Sequence, residues 1–159
     1  MSEINYVIDK IEVKFKGAID LNEFYHMLKD ELETLGYSLQ EKEFVEQQKE
    51  ALTVKWKATR LVDEYTQFIL KISLKAEELT KVDVKKKRLD KGHFNVSVKA
   101  QIERDYEDRW VGPIKTFIRG VYDRYLVPEK FNKLEAELKD DAYTIIERVK
   151  AYLNTIKIR

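Results

Sequence analysis

The sequence predicts an α+β domain, an antiparallel sheet of about six strands packed against a kinked C-terminal helix pair. Three observations predict it. Apolar residues alternate with a period of two in six short runs between residues 11 and 102. Short polar turns join those runs, whereas parallel strands would need long crossovers. The last third of the chain changes to apolar residues every three to four positions, the period of a helix.

The elements follow in order. Ile11, Val13 and Phe15 alternate with Lys10, Glu12, Lys14 and Lys16 as a half-buried strand, which Gly17 to Asp20 end. Asp20 stands three residues before Glu23, a capping-box-like helix start. Leu21, Phe24, Tyr25, Leu28, Leu32 and Leu35 then share one face until Gly36 closes the helix. Tyr37 and Leu39 open a second strand that runs into a polar hairpin around Phe44 and Val45. Leu52, Val54, Trp56 and Ala58 make the third strand, and Phe68, Leu70, Ile72 and Leu74 the fourth, with Ile69 on the other face. Val82 and Val84 open a fifth run that dissolves into Lys85, Lys86, Lys87 and Arg88. Asp90-Lys91-Gly92-His93 reads as a turn. Phe94, Val96, Val98, Ala100 and Ile102 form the clearest strand.

Gly112-Pro113 starts the first C-terminal helix, with Ile114, Phe117, Ile118, Val121, Tyr122 and Tyr125 on one face. Pro128 breaks or kinks it at Val127. The second run carries Phe131, Leu134, Leu138, Ala142, Ile145, Val149, Tyr152 and Ile156. Phe131, Leu138, Ile145 and Tyr152 also recur every seven residues, as a coiled-coil seam would. A helix laid across the sheet is the favoured reading, because one sheet face needs a cover. The order is strand, helix, five-strand meander and helix pair, in one domain over residues 1–159.

Composition excludes a good deal of chemistry. The 159 residues include 30 Lys+Arg against 29 Asp+Glu, two His and no Cys. Disulfides, thiolate catalysis and cysteine-based metal sites are therefore out. A net charge of +1 argues against a nucleic-acid binder. The opening MSEINYVIDKIEVKF lacks a signal-peptide core, and no stretch approaches the roughly 18 apolar residues of a membrane span. A soluble cytoplasmic protein is expected, and the richness in Lys, Glu, Ile and Tyr leans towards a heat-adapted source.

Catalytic signatures are absent. His26 lies four residues before Asp30 and His93 sits beside Asp90. Neither pair supplies the three or four ligands of a zinc site, so no metal is expected. Asp105, Glu107 and Asp108 cluster between the last strand and the helix pair, but Arg104 and Arg109 interleave them. Their expected role is to favour the following helix through its dipole and to form surface pairs, not to catalyse. No nucleophile elbow and no glycine-rich phosphate loop occurs. The expectation leans away from an enzyme and assigns no catalytic residue and no cofactor.

Two features point to binding. Lys85, Lys86, Lys87 and Arg88 form a basic patch, read as a solvated strand edge in preference to a nucleic-acid site. The chain also holds nine Tyr, seven Phe and two Trp. An aromatic-lined pocket with a few polar tips suits a flat or apolar ligand, although the same rings also serve to pack the core.

The strand–helix–meander–helix order resembles the helix-grip superfamily, the START and Bet v 1-like folds. In that family a curved antiparallel sheet wraps a long C-terminal helix, and the gap between them often holds an apolar ligand. The chain departs from it in having one helix after the first strand, where the family has two. The run DYEDRW–VGP–IKTFIRGVYDRYLVPEKF also resembles segments of small archaeal proteins without an assigned activity. The resemblance implies a non-enzymatic module that binds an apolar or aromatic small molecule between sheet and C-terminal helix. Its expected ligand-binding residues are Trp56, Phe94, Val96, Val98, Tyr122, Tyr125, Ile145 and Val149. The alternative is an assembly subunit that meets a protein partner or a second copy through the polar hairpin, the basic edge or the long helix.

Overall fold

The computed structural model describes residues 3–47, 50–63, 66–84, 87–104 and 127–158. The elements are β1 (Glu3–Ile19), α1 (Leu21–Thr34), β2 (Ser38–Gln47), β3 (Ala51–Leu61), β4 (Thr66–Val84), β5 (Lys87–Arg104) and α2 (Val127–Ile158). The strands form one sheet in the order β1-β5-β4-β3-β2, with every neighbour antiparallel. The α+β class and the antiparallel sheet are as the sequence predicts.

Helix α1 has the ends that its sequence predicts. Asp20 Oδ1 accepts from the backbone N–H of Asn22 at 3.0 Å and of Glu23 at 3.2 Å, satisfying two donors that the helix leaves unpaired. At the other end Gly36 takes φ +94°, a conformation that favours glycine. Its N–H donates to Glu33 O and the Tyr37 N–H to Leu32 O, the paired bonds of a Schellman cap. Phe24, Met27, Leu28 and Leu32 are buried beneath this helix.

The described sheet has five strands, not about six. The run at Val82 and Val84 is no separate strand: β4 continues through it to Val84, and Asp83 pairs with Arg88. The Asp90–His93 segment does not turn either. It lies within β5, with Asp90 opposite Ile19 and Gly92 opposite Gly17 of β1. A bulge explains why turn-forming residues stand there. The β4–β5 register shifts between Glu77 and Thr80, and Glu78 adopts φ 54°. At that bulge β4 comes so close to Gly92 that a Cβ there would stand 2.7 Å from the Glu77 carbonyl oxygen. Glycine thus serves a close backbone approach. Gly92→Ala is expected to lower stability by about 1–3 kcal/mol, the usual cost of overpacking, as read from the urea unfolding midpoint.

The predicted break at Val127 coincides with the start of the described helix, and the residues before it lie outside the described ones. Pro128 lies in the first turn of α2, where its missing N–H costs no helical bond, and α2 runs on to Ile158. The preceding predicted helix, Ile114 to Tyr125, lies outside the described residues. Leu138, Ala142, Ile145, Ile146, Val149, Tyr152 and Leu153 of α2 are buried in one core with the inner face of the sheet. Leu138, Ile145 and Tyr152 therefore serve the sheet and form no spare coiled-coil seam. The two helices meet where Phe24 and Tyr152 bring their ring centroids to 5.7 Å and the Tyr152 hydroxyl donates to Asp20 O at 3.3 Å.

Candidate functional site

Three regions of the fold hold groups with chemistry to offer, beginning with the space between sheet and helices. Strand alternation sends Trp56 of β3 and Phe94, Val96 and Val98 of β5 to the inner face, and α2 brings Ile145 and Val149 over them. These six predicted lining residues share one hydrophobic core and are close to fully buried. Tyr122 and Tyr125, the other two, lie outside the described residues. Trp56 is ringed by aromatics: Phe24 lies 6.4 Å from it and Tyr25 6.2 Å, centroid to centroid. Its indole Nε1 is buried and has no hydrogen-bond partner among the described residues. A buried donor left unpaired costs about 1–3 kcal/mol, so it needs an explanation.

The second region is a polar cluster at the edge of that core, and it was not legible in the sequence. The Tyr37 hydroxyl donates to Asp141 Oδ2 at 2.8 Å across 104 positions of chain. Arg60 Nη1 stands 3.3 Å from Asp141 Oδ2 and 3.0 Å from Glu137 Oε1, and its guanidinium lies 5.9 Å from the Phe68 ring centroid. Burial pushes the Asp141 carboxyl above its ordinary range, and the Tyr37 hydrogen bond and the Arg60 charge only partly offset this. Burial, followed by the bond to Asp141, raises the Tyr37 phenol as well. The cluster ties α2 to β3 and to the start of β2.

The third region is the solvent-facing side of the sheet. A depression of about 510 Å³ lies there, lined by Lys10, Lys42, Lys55, Lys57, Lys71, Lys75 and Lys99, with Ser73 and Ser97 among its other residues. Lys57 pairs in register with Lys71, and Lys71 with Lys99. Ser73 and Ser97 place their hydroxyl oxygens 2.9 Å apart. The sequence does contain the signal for this region: Lys55, Lys57, Lys71, Lys75 and Lys99 hold outward positions of period-two strands, whereas Lys10 and Lys42 sit at register shifts. What it lacks is the register that brings them side by side.

The remaining expected residues do not converge. Lys85 and Lys86 of the basic patch lie outside the described residues, Lys87 opens β5, and Arg88 is exposed opposite Asp83. His26 is exposed on α1 against the Tyr25 ring, whereas His93 Nε2 lies 3.1 Å from Glu78 on the β4 bulge. The acidic cluster at Asp105, Glu107 and Asp108 falls outside the described residues. Among the described residues no group of three or more His, Asp or Glu side chains could hold a metal ion. No described helix is long and apolar enough to cross a membrane.

The architecture thus defined is an antiparallel sheet with α1 and α2 over one face and an open, lysine-rich second face. Compared with known proteins, the chain matches no family model and no curated sequence.

Proposed function

We propose that the chain is a non-enzymatic binding module, helix-grip-like in plan, that takes an aromatic or apolar small molecule between its sheet and helical layer beside Trp56. The observation that carries this reading is the Trp56 indole N–H, buried among aromatic rings with no acceptor among the described residues. A ligand carrying one hydrogen-bond acceptor on a flat apolar body satisfies that donor and stacks on its neighbours. An enzyme is not favoured, because no acid, base and nucleophile converge in that space among the described residues.

Native mass spectrometry of gently purified protein tests the reading. The expected result is an added mass of roughly a few hundred daltons, the size of ligand such pockets hold, that disappears on denaturation. Trp56→Phe keeps an aromatic ring in the core while removing the N–H and part of the indole, so it should lose that added mass, with circular dichroism checking that it still folds. A variant that retains the mass at wild-type occupancy would sink the proposal.

A second reading, assembly with a protein partner or another copy, has one observation behind it. Phe44 is 58% exposed on β2, an edge strand of the sheet. The same spectra report it as an integer multiple of the chain mass.

A further inference from the structure

We propose that the depression on the open face of the sheet is a binding site for a compact oligophosphate, a small molecule with several linked phosphate groups. The argument starts from a cost. Lys57, Lys71 and Lys99 stand directly opposite one another on β3, β4 and β5, and like charges so placed destabilise a sheet. Their sequence neighbours Trp56, Ala58, Leu70, Ile72, Val98 and Ala100 are buried on the inner face, so the lysines must project to the other. Edge strands use lysine to prevent aggregation, but β5 and β4 are interior strands and need no such protection.

Most of this charge is uncompensated among the described residues. Lys10 pairs with Glu12 and Lys55 with Glu43. Lys42, Lys57, Lys71, Lys75 and Lys99 have no ion-pair partner among the described residues. A ligand with clustered negative charge turns this repulsion into attraction, and the paired Ser73 and Ser97 hydroxyls add donors beside it.

The same residues set the ligand's size and kind. Neighbouring strands lie about 4.8 Å apart, so the three central lysines span only about 10 Å. The depression, about 510 Å³, has the volume of a small-molecule site. The basic field continues more weakly into the adjoining hollow, which shares Lys75 and adds Lys14 and Lys16 but is interrupted there by Glu77. A long nucleic acid would need a longer track. It would also gain little, since the depression's one aromatic, Trp56, is only 4% exposed and cannot stack a base. Lysine, a point-charge donor, suits phosphates approaching from several directions.

Isothermal titration of the full chain with sodium tripolyphosphate, with orthophosphate and with a single-stranded oligonucleotide tests the site at low and at moderate salt. Tripolyphosphate should bind at least about tenfold more tightly than orthophosphate, and should weaken as salt rises. Lys71→Gln should reduce that affinity about tenfold or more, and Lys57→Gln/Lys71→Gln/Lys99→Gln together should abolish it. Lys139→Gln on α2 should change nothing. No heat with tripolyphosphate, or an unchanged affinity in Lys71→Gln, overturns the proposal. Tighter binding of the oligonucleotide overturns it too, in favour of a nucleic-acid surface. Lys71, Lys99 and Lys139 are exposed and Lys57 is half-buried on the same open face, so circular dichroism checks that each variant keeps the fold.

Discussion

Ile145→Ala should destabilise the protein by about 2–5 kcal/mol, the range for emptying a well-packed core site. Ile145 is fully buried in the middle of the α2 stripe, within the core that α2 shares with the inner face of the sheet. Three methylene-sized groups leave, and the long helix above cannot close the gap without lifting its neighbours Leu138, Ala142 and Val149, which are equally buried. Urea unfolding gives the cost directly, with the slope expected to stay unchanged. A loss below about 1 kcal/mol would mean that α2 does not pack on the sheet. The comparison with Trp56→Phe separates stability from binding. Ile145→Ala removes packing alone, whereas Trp56→Phe removes part of a buried ring together with a donor that the empty fold does not use.

How far the sequence carried depended on how local each signal was. Helix α1 was legible from end to end, because its Asp20 cap, its apolar face and its Gly36 stop lie within one short segment. The inner faces of β3, β4 and β5 were legible because one side of each strand is buried, and burial imposes the period. Strand number was not legible. Asp90-Lys91-Gly92-His93 has the composition of a turn, and only the pairing of β5 with β1 and β4 reveals that Gly92 serves a bulge instead. The candidate sites were less legible still. Lys57, Lys71 and Lys99 are ordinary outward positions until register sets them in one row. The chain's net charge of +1 conceals that row, because acids gather elsewhere, for instance Glu23, Asp30, Glu31 and Glu33 on α1. Tyr37 and Asp141 are so far apart in sequence that no spacing rule links them.

That last pair carries the second large effect. Asp141→Ala should cost about 2–3 kcal/mol, less than a wholly buried ion pair because Arg60 is partly exposed and keeps Glu137. It strips an acceptor from the buried Tyr37 hydroxyl and from Arg60 together. Asp141→Asn should behave differently. Its carbonyl can still accept from Tyr37, and Arg60 retains Glu137, so near-wild-type stability at neutral pH is expected. The contrast sharpens with pH. Burial holds the Asp141 carboxyl above its ordinary value of 3.8, so between that value and the higher folded one the native state binds more protons than the unfolded. This group's contribution to stability therefore falls as pH rises through that window, and its full cost is present above it. Asn cannot titrate, so the Asp141→Asn protein should lack this term, and the difference in stability between the two proteins should move towards the variant as pH rises from 3.8. Urea titrations at half-unit pH steps measure that difference. A gap between wild type and Asp141→Asn that is constant across the window would show that Asp141 is solvated as freely as in the unfolded chain. The polar cluster would then be a surface contact and not the buried tie between α2 and the sheet.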